Sequence, residues 1–244
     1  MTAHRRTANS RLSITIVLAF FAASLCLSAC SRKMETRYDN GQIKEKYEVK
    51  KDAAGNFIKN GSYASWYENG QKESEGTFKE DIKTGLWAEW HENGNQKSEG
   101  TYEDNKKTGM WTDWYDNGQK KGETEYKANV RNGKSLTWYE NGTMKNEGAF
   151  ENNLRVGKWT VWYDNNSKNF EGDFQNGKET GLWTYWYQNG SKASEGEYID
   201  GKKTGKHTTW YDNGQKKSEG EYQNGQRVGE WLSWDQQGAP IQTK

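Results

Sequence analysis

Trp66, Trp90, Trp114, Trp138, Trp162, Trp186, Trp210 and Trp234 stand 24 residues apart without exception. A fixed period of this length means stacked copies of one small unit, because a single copy is too short to bury a core alone. Five further Trp, at positions 87, 111, 159, 183 and 231, lie three residues before members of that series, each two residues after a Gly. The two series account for all 13 Trp of the 244-residue chain, so no Trp falls outside the repeat. The other half of the unit reads Glu-Gly-x-Tyr/Phe, as in Glu75-Gly76-Thr77-Phe78, Glu99-Gly100-Thr101-Tyr102 and Glu219-Gly220-Glu221-Tyr222. Departures are few: Asn166 replaces a turn Gly, Thr124 a strand Gly, and Ser135 and His207 the first Trp. A looser unit starting at Tyr38-Asp39-Asn40-Gly41 and a worn copy at Gln236-Gln237-Gly238 read as caps, which places the array at residues 38–238.

Asn-Gly between aromatic-rich segments is a strong hairpin signal, because the tightest two-residue turn needs positive φ at both central residues. A turn of this kind at Asn93-Gly94 predicts that Trp87 pairs with Gly100, Glu89 with Ser98, and Trp90 with Lys97. Strand alternation then puts Trp87, His91, Gly100 and Tyr102 on one face, with Gly100 leaving room for the Trp87 ring. Leu86, Ala88 and Trp90 fall on the other face, among Lys97, Glu99 and Thr101. Rings of adjacent units are expected to stack in offset fashion. Downstream of residue 29 the chain carries 15 Ile, Leu and Val against 32 aromatic residues. That excludes a thick two-layer core and suits a single ribbon of hairpins. The expected fold is all-β, an elongated antiparallel meander of stacked hairpins about 75–80 Å long at ~4.8 Å per strand.

The pattern Tyr-x-Asn-Gly-x-x-x-x-Glu-Gly-x-Tyr followed by Lys-x-Gly-x-Trp resembles the MORN repeat. It is most similar to the bacterial variant subfamily that is often labelled an antitoxin. The resemblance covers about Tyr38 to Gly238 and implies a twisted or curled sheet that acts as a scaffold or a membrane-proximal binding surface.

The first thirty residues belong to a different class. Arg5, Arg6 and Arg11 precede an almost wholly apolar stretch from Leu12 to Leu27, the order of a secretory signal. Sixteen residues are short for a membrane-spanning helix, which needs about 20. Leu27-Ser28-Ala29-Cys30 resembles a bacterial lipobox, which implies cleavage between Ala29 and Cys30 and acylation of Cys30. The other cysteine, Cys26, would leave with the signal, so the mature chain would have no intramolecular disulfide. The expected organisation is a signal peptide with its helix at 1–29, a lipidated N-terminus and linker at 30–37, the array, and a tail at 239–244. Two or three acyl chains anchor stably where one would not. A non-acidic Ser31 after the cysteine implies, again by resemblance, sorting to the outer membrane, facing the periplasm.

Composition narrows the functions further. Hydrophobic content of 31% would suit a disordered chain, but 14% aromatic residues and a single Pro argue for order. Thirty-five basic residues against 34 acidic ones give no overall basic excess, so nucleic acid is not an expected partner. Loss of the signal would leave 32 bases against the 34 acids. His91 stands in a Tyr slot and His207 in a Trp slot, nearly five repeats apart, so neither a metal cluster nor a catalytic dyad is expected. A Glu that recurs in every Glu-Gly motif is selected by the unit rather than by one active site, and reads as a cross-strand partner for Lys. No enzyme, cofactor or metal is expected. The candidate binding surface is the series from Trp66 to Trp234, whose predicted face also carries charge. The leading function is a lipid-anchored, protein-binding scaffold at the bacterial envelope. The alternatives are an antitoxin or immunity protein against a toxin acting in the periplasm, and a glycan- or cell-wall-binding module using the Trp row.

Overall fold

The computed structural model describes residues 31–241. The expected signal peptide, its helix and the acylation site at Cys30 lie outside the described residues, as do residues 242–244 of the expected tail.

Seventeen strands form one open sheet. They are β1 (Arg32–Arg37), β2 (Ile43–Lys51), β3 (Phe57–Trp66), β4 (Lys72–Lys79), β5 (Ile82–Trp90) and β6 (Gln96–Glu103). Then follow β7 (Lys106–Trp114), β8 (Lys120–Lys127), β9 (Val130–Trp138), β10 (Met144–Glu151), β11 (Leu154–Trp162) and β12 (Lys168–Gln175). The last are β13 (Lys178–Trp186), β14 (Lys192–Ile199), β15 (Lys202–Trp210), β16 (Lys216–Gln223) and β17 (Gln226–Ser233). Each strand pairs antiparallel with the next in sequence, and among the described residues there is no helix. The all-β meander is therefore as expected. The segment expected as a linker is not one: Arg32–Arg37 is β1 and pairs with β2, so the sheet starts before Tyr38. At the other end Trp234 bridges to Pro240, and the Ile241 N–H donates to the Ser233 carbonyl at 2.8 Å.

Hairpin register follows the sequence reading for most of its length and then slips. Trp87 faces Gly100 and Glu89 faces Ser98, but Trp90 pairs with Gln96 rather than Lys97. The turn is the cause. The Gly94 N–H donates to the His91 carbonyl (2.9 Å) and the His91 N–H to the Asn95 carbonyl (2.8 Å), so the loop is longer than two residues. Only Gly94 takes positive φ there, at +86°. Asn93 is selected for a different task. Its Oδ1 accepts from the Asn95 N–H at 2.9 Å and its Nδ2 donates to the Asp116 carbonyl at 2.7 Å, tying this turn to the next one. In the copy where Asn166 replaces the turn Gly, it adopts φ +68°, which Asn tolerates better than most side chains. The true two-residue turns lie at the opposite edge, as at Glu80-Asp81 (φ +55° and +62°) between the paired Lys79 and Ile82.

Two glycines of each unit serve opposite purposes. Between β4 and β5 the register jumps from Glu75–Ala88 to Thr77–Thr84, and the extra residues are absorbed as a bulge around Gly85, φ +68°. A Cβ at Gly85 would meet nothing within 4 Å, so that glycine supplies conformation. At Gly100 a Cβ would lie 2.2 Å from the Trp111 ring, so that glycine supplies space. The occupant is a correction: Trp87 faces Gly100 across the ladder, but the ring over Gly100 belongs to the next unit, and Trp87 itself lies over Gly76. Each indole therefore closes on the glycine of the strand before it, and in all but Trp231, whose buried N–H has no partner, the N–H donates to the next carbonyl of that strand. Trp87 reaches Thr77 at 3.2 Å, Trp159 reaches Ala149 at 3.1 Å and Trp183 reaches Asp173 at 3.2 Å.

These rings form a spine along one face of the sheet. Trp159 and Trp183 are only 2% exposed. Most neighbours meet edge-to-face, with centroids 5.1 Å apart for Phe78–Trp87 and 4.9 Å for both Tyr102–Trp111 and Phe174–Trp183, and the expected stacking is seen at Trp183 with Phe170 (5.6 Å) and Tyr185 (5.9 Å). The spine is interrupted between Trp111 and Phe150. There Thr124 occupies the glycine position and Ser135 the indole position, paired with hydroxyls 3.1 Å apart. The two departures are one compensated exchange, a larger residue below and a smaller one above.

His207 keeps the spine continuous. Its ring covers Gly196 and its Nε2 lies 2.9 Å from the Glu197 carbonyl, the position an indole N–H would fill. Burial pushes the His207 imidazole below its ordinary range. The folded state thus holds a neutral ring while the unfolded chain takes up a proton near pH 6.5. Stability from this site is present above about pH 6.5 and is lost as pH falls toward the lowered folded value. His207→Trp is expected to raise the melting temperature, by more at pH 5.5 than at pH 8. Melting curves at both pH values check this; a gain independent of pH would show that His207 titrates as it does in the unfolded chain.

Candidate functional site

Trp87 and Trp90 are three residues apart, and the register shift between Glu89 and Trp90 takes its extra residue, Lys97, from the partner strand, so alternation along β5 still sends the two rings to opposite faces. The expected row, Trp66, Trp90, Trp114, Trp138, Trp162, Trp186, Trp210 and Trp234, lies on the face opposite the spine, and all eight are half-buried. Their backbones are engaged: the Tyr67 hydroxyl donates to the Trp90 carbonyl at 2.7 Å, and the contact recurs down to Tyr211 and Trp234 at 3.0 Å. His91 takes the tyrosine's place there, its Nε2 3.1 Å from the Trp114 carbonyl. Both His91 and His207 thus occupy the hydrogen-bond positions of the aromatic residues they replace.

Most rings of this row already have a cation. Lys72 Nζ lies 5.0 Å from the centroid of Trp90, Lys168 5.4 Å from Trp186 and Lys192 5.3 Å from Trp210, with Lys120 over Trp138 and Lys216 over Trp234 in the same arrangement. Each of these lysines also reaches the Glu three residues on, which precedes the strand Gly in every case but Glu123-Thr124, as in Lys72–Glu75 at 2.6 Å and Lys192–Glu195 at 2.7 Å. Lys216 and Lys206 together hold the Glu219 carboxyl down to about 2. Among the described residues, Trp66, Trp114 and Trp162 have no such cation. Gln96 and Met144 stand where the lysine would cover Trp114 and Trp162. The five Lys–Glu pairs of this row lie within single strands; the cross-strand role expected for the repeated Glu is met in other pairs, Lys158–Glu171 and Lys206–Glu219 at 2.9 Å and Lys134–Glu147 at 3.6 Å. Grooves run beside the row, one of about 780 Å³ walled by Lys33, Lys46, Trp66, Glu75 and Leu86, another of about 490 Å³ at Trp162. Leu86 and Leu182 stand 60% and 56% exposed on this face.

The spine face holds a second row that the sequence reading missed. Four residues before each first-Trp position stands Lys59, Lys83, Lys107, Arg131, Arg155, Glu179, Lys203 or Arg227. In a regular strand such residues would be about 13 Å apart along one face. The bulge at the intervening glycine, together with the reach of the long side chain, lets the cation lie on the ring. Lys83 Nζ is 4.0 Å from the Trp87 centroid, Lys107 3.9 Å from Trp111, and the Arg227 guanidinium 4.0 Å from Trp231. Over the interruption, Arg131 turns to Phe150 of the next unit at 4.0 Å. Burial pushes the Lys83 amine below its ordinary range, and Lys107 and Lys59 on either side act in the same direction. The signal was present in the period as a cation four residues before the aromatic, but only the bulge brings the two together. Among the described residues, no group of His, Cys, Asp and Glu is placed to hold a metal ion.

A family model described as the MORN repeat variant matches residues 59–80, 83–104, 107–128, 131–152, 179–200 and 203–224, more than half of the chain. Each matched segment starts at a residue of the spine-face row, five of them cations and one Glu179. No curated protein matches the chain.

Proposed function

Because the chain belongs to the MORN repeat variant family, whose repeats bind proteins and membranes, we propose that it is a non-enzymatic, lipid-anchored scaffold that binds another protein at the bacterial envelope. The observation that carries this reading is the periodicity of both faces. Trp, Lys and Glu recur in the same geometry unit after unit, which suits recognition along a line rather than reaction at a point. Attachment through Cys30, with cleavage after Ala29, would hold the protein at the outer membrane facing the periplasm. The antitoxin role suggested by the subfamily resemblance is a special case in which the partner is a toxin acting in the periplasm. A glycan-binding role for the Trp row has less support, since five of its eight rings carry a lysine.

Cross-linking in cells followed by mass spectrometry tests the reading. A discrete protein adduct is expected, and selective retention on purified peptidoglycan without any protein adduct would overturn it in favour of wall binding. The anchor has its own test. Cys30→Ala is expected to abolish lipid labelling and block processing, because the thiol is the acylation site. A wild-type chain that partitions into detergent without carrying lipid label would instead mean an uncut apolar helix.

A further inference from the structure

Six cations of the spine face, Lys83, Lys107, Arg131, Arg155, Lys203 and Arg227, form no ion pair among the described residues. The lysines over the Trp90-type rings behave in the opposite way, each being neutralised by its Glu. The unpaired cations are also held in place, since each lies against the aromatic spine; Arg155, for example, is 4.5 Å from the Trp159 centroid. Successive members are two strands apart, ~9.6 Å at ~4.8 Å per strand. Four consecutive units, from Lys83 to Arg155, carry one each. Glu179 then interrupts the series before Lys203 and Arg227 resume it. Glu89 and Asp113 are the acids of the same face within the four-unit stretch, one step along the strand from the indoles.

A single file of preorganised charges fits a linear anion better than a plane of lipid headgroups. Phosphates of a nucleic-acid strand, about 3.4 Å apart along the helix axis, are too closely spaced for it. A polyproline II chain fits well: it has three residues per turn and rises ~3.1 Å per residue, so every third side chain points the same way at ~9.3 Å intervals. We propose that this row is a docking track for an extended acidic segment of a partner protein, in polyproline II conformation with a carboxylate at every third residue. The inference rests on the scaffold reading above and names the chemistry of its partner. The track supplies fixed charges over a hydrophobic ridge, so the bound segment gains electrostatic complementarity without ordering flexible lysines.

The test titrates the full chain with a labelled peptide of five Glu-Pro-Pro triplets at low salt. The controls are five Gln-Pro-Pro triplets and a peptide of the same composition with its glutamates grouped at one end. The spaced acidic peptide is expected to bind at least about tenfold more tightly than either control, with affinity falling as salt rises. Lys107→Gln combined with Arg131→Gln is expected to weaken binding about tenfold, and Glu179→Lys, which completes the row, to strengthen it. Lys72→Gln with Lys120→Gln, on the other face, is expected to leave it unchanged. The gain in Glu179→Lys guards against a loss that merely reports misfolding. Equal binding of the grouped peptide, or an effect of the Lys72 and Lys120 changes equal to that of the row, would overturn the proposal. So would tighter row-dependent binding of an oligonucleotide or of vesicles containing anionic lipid. A failed titration beside an intact protein adduct in cells would remove this inference alone. Peptide binding without any cellular protein adduct would remove the scaffold reading instead.

Discussion

Trp183→Ala is expected to destabilise the array by about 3–5 kcal/mol, whereas Trp186→Ala should cost no more than about 1–2 kcal/mol. Trp183 is almost fully buried among Phe170, Phe174, Tyr185 and Tyr198, and its indole N–H is hydrogen-bonded at 3.2 Å. Truncation would leave a cavity in the spine that the flanking rings, Phe170 and Tyr185 stacked and Phe174 and Tyr198 edge-to-face, cannot fill without moving. Trp186 is half-buried on the other face beneath Lys168, and its removal exposes a lysine stem rather than a core. Denaturant melting of the two variants side by side checks this, provided that the slopes of the transitions agree. Equal losses would mean that both rows are core.

Gly172→Val is the second large effect. A Cβ at Gly172 would stand 2.3 Å from Cδ2 of Trp183, and the obstacle is a buried ring rather than the end of a flexible chain. Overpacking of this kind typically costs about 1–3 kcal/mol, and the rigidity of the indole places the expected loss at the upper end. The backbone at Gly172 needs no positive φ, so the effect isolates space from conformation. The chain contains its own relief of the same conflict, where Thr124 in the glycine slot faces Ser135 in the indole slot. Melting of Gly172→Val against Gly157→Val separates the two roles of glycine. The second change meets no side chain and strains only a backbone at φ +62°. A neutral Gly172→Val would show that the ring does not close on the glycine.

Much of this was legible in the sequence because the repeat writes each contact several times. The period, the strand order, the Trp87–Gly100 pairing and the opposite orientation of Trp87 and Trp90 follow from spacing and alternation alone. What was not legible depends on hydrogen-bond register, which composition does not record. The Gly94 turn closes as a longer loop and shifts Trp90 from Lys97 to Gln96. The bulge at Gly85 hands each ring to the glycine of the strand before it, and lays Lys83 on Trp87. The cation row went unseen because residues four apart in a regular strand do not touch. Likewise, Arg32–Arg37 read as a linker because it lacks the aromatic signature, yet pairing with β2 makes it a strand.

The aromatic spine supplies stability, and the side chains lying on it are the ones proposed to meet a partner protein. The most direct measurement is cross-linking in living cells from a photoreactive residue at position 155, in the full-length chain. One discrete protein adduct is expected from this position, lost when Lys107 and Arg131 are changed to Gln, and retained when Lys72 and Lys120 are. An adduct indifferent to the row, or label recovered only in lipid or wall material, would contradict it.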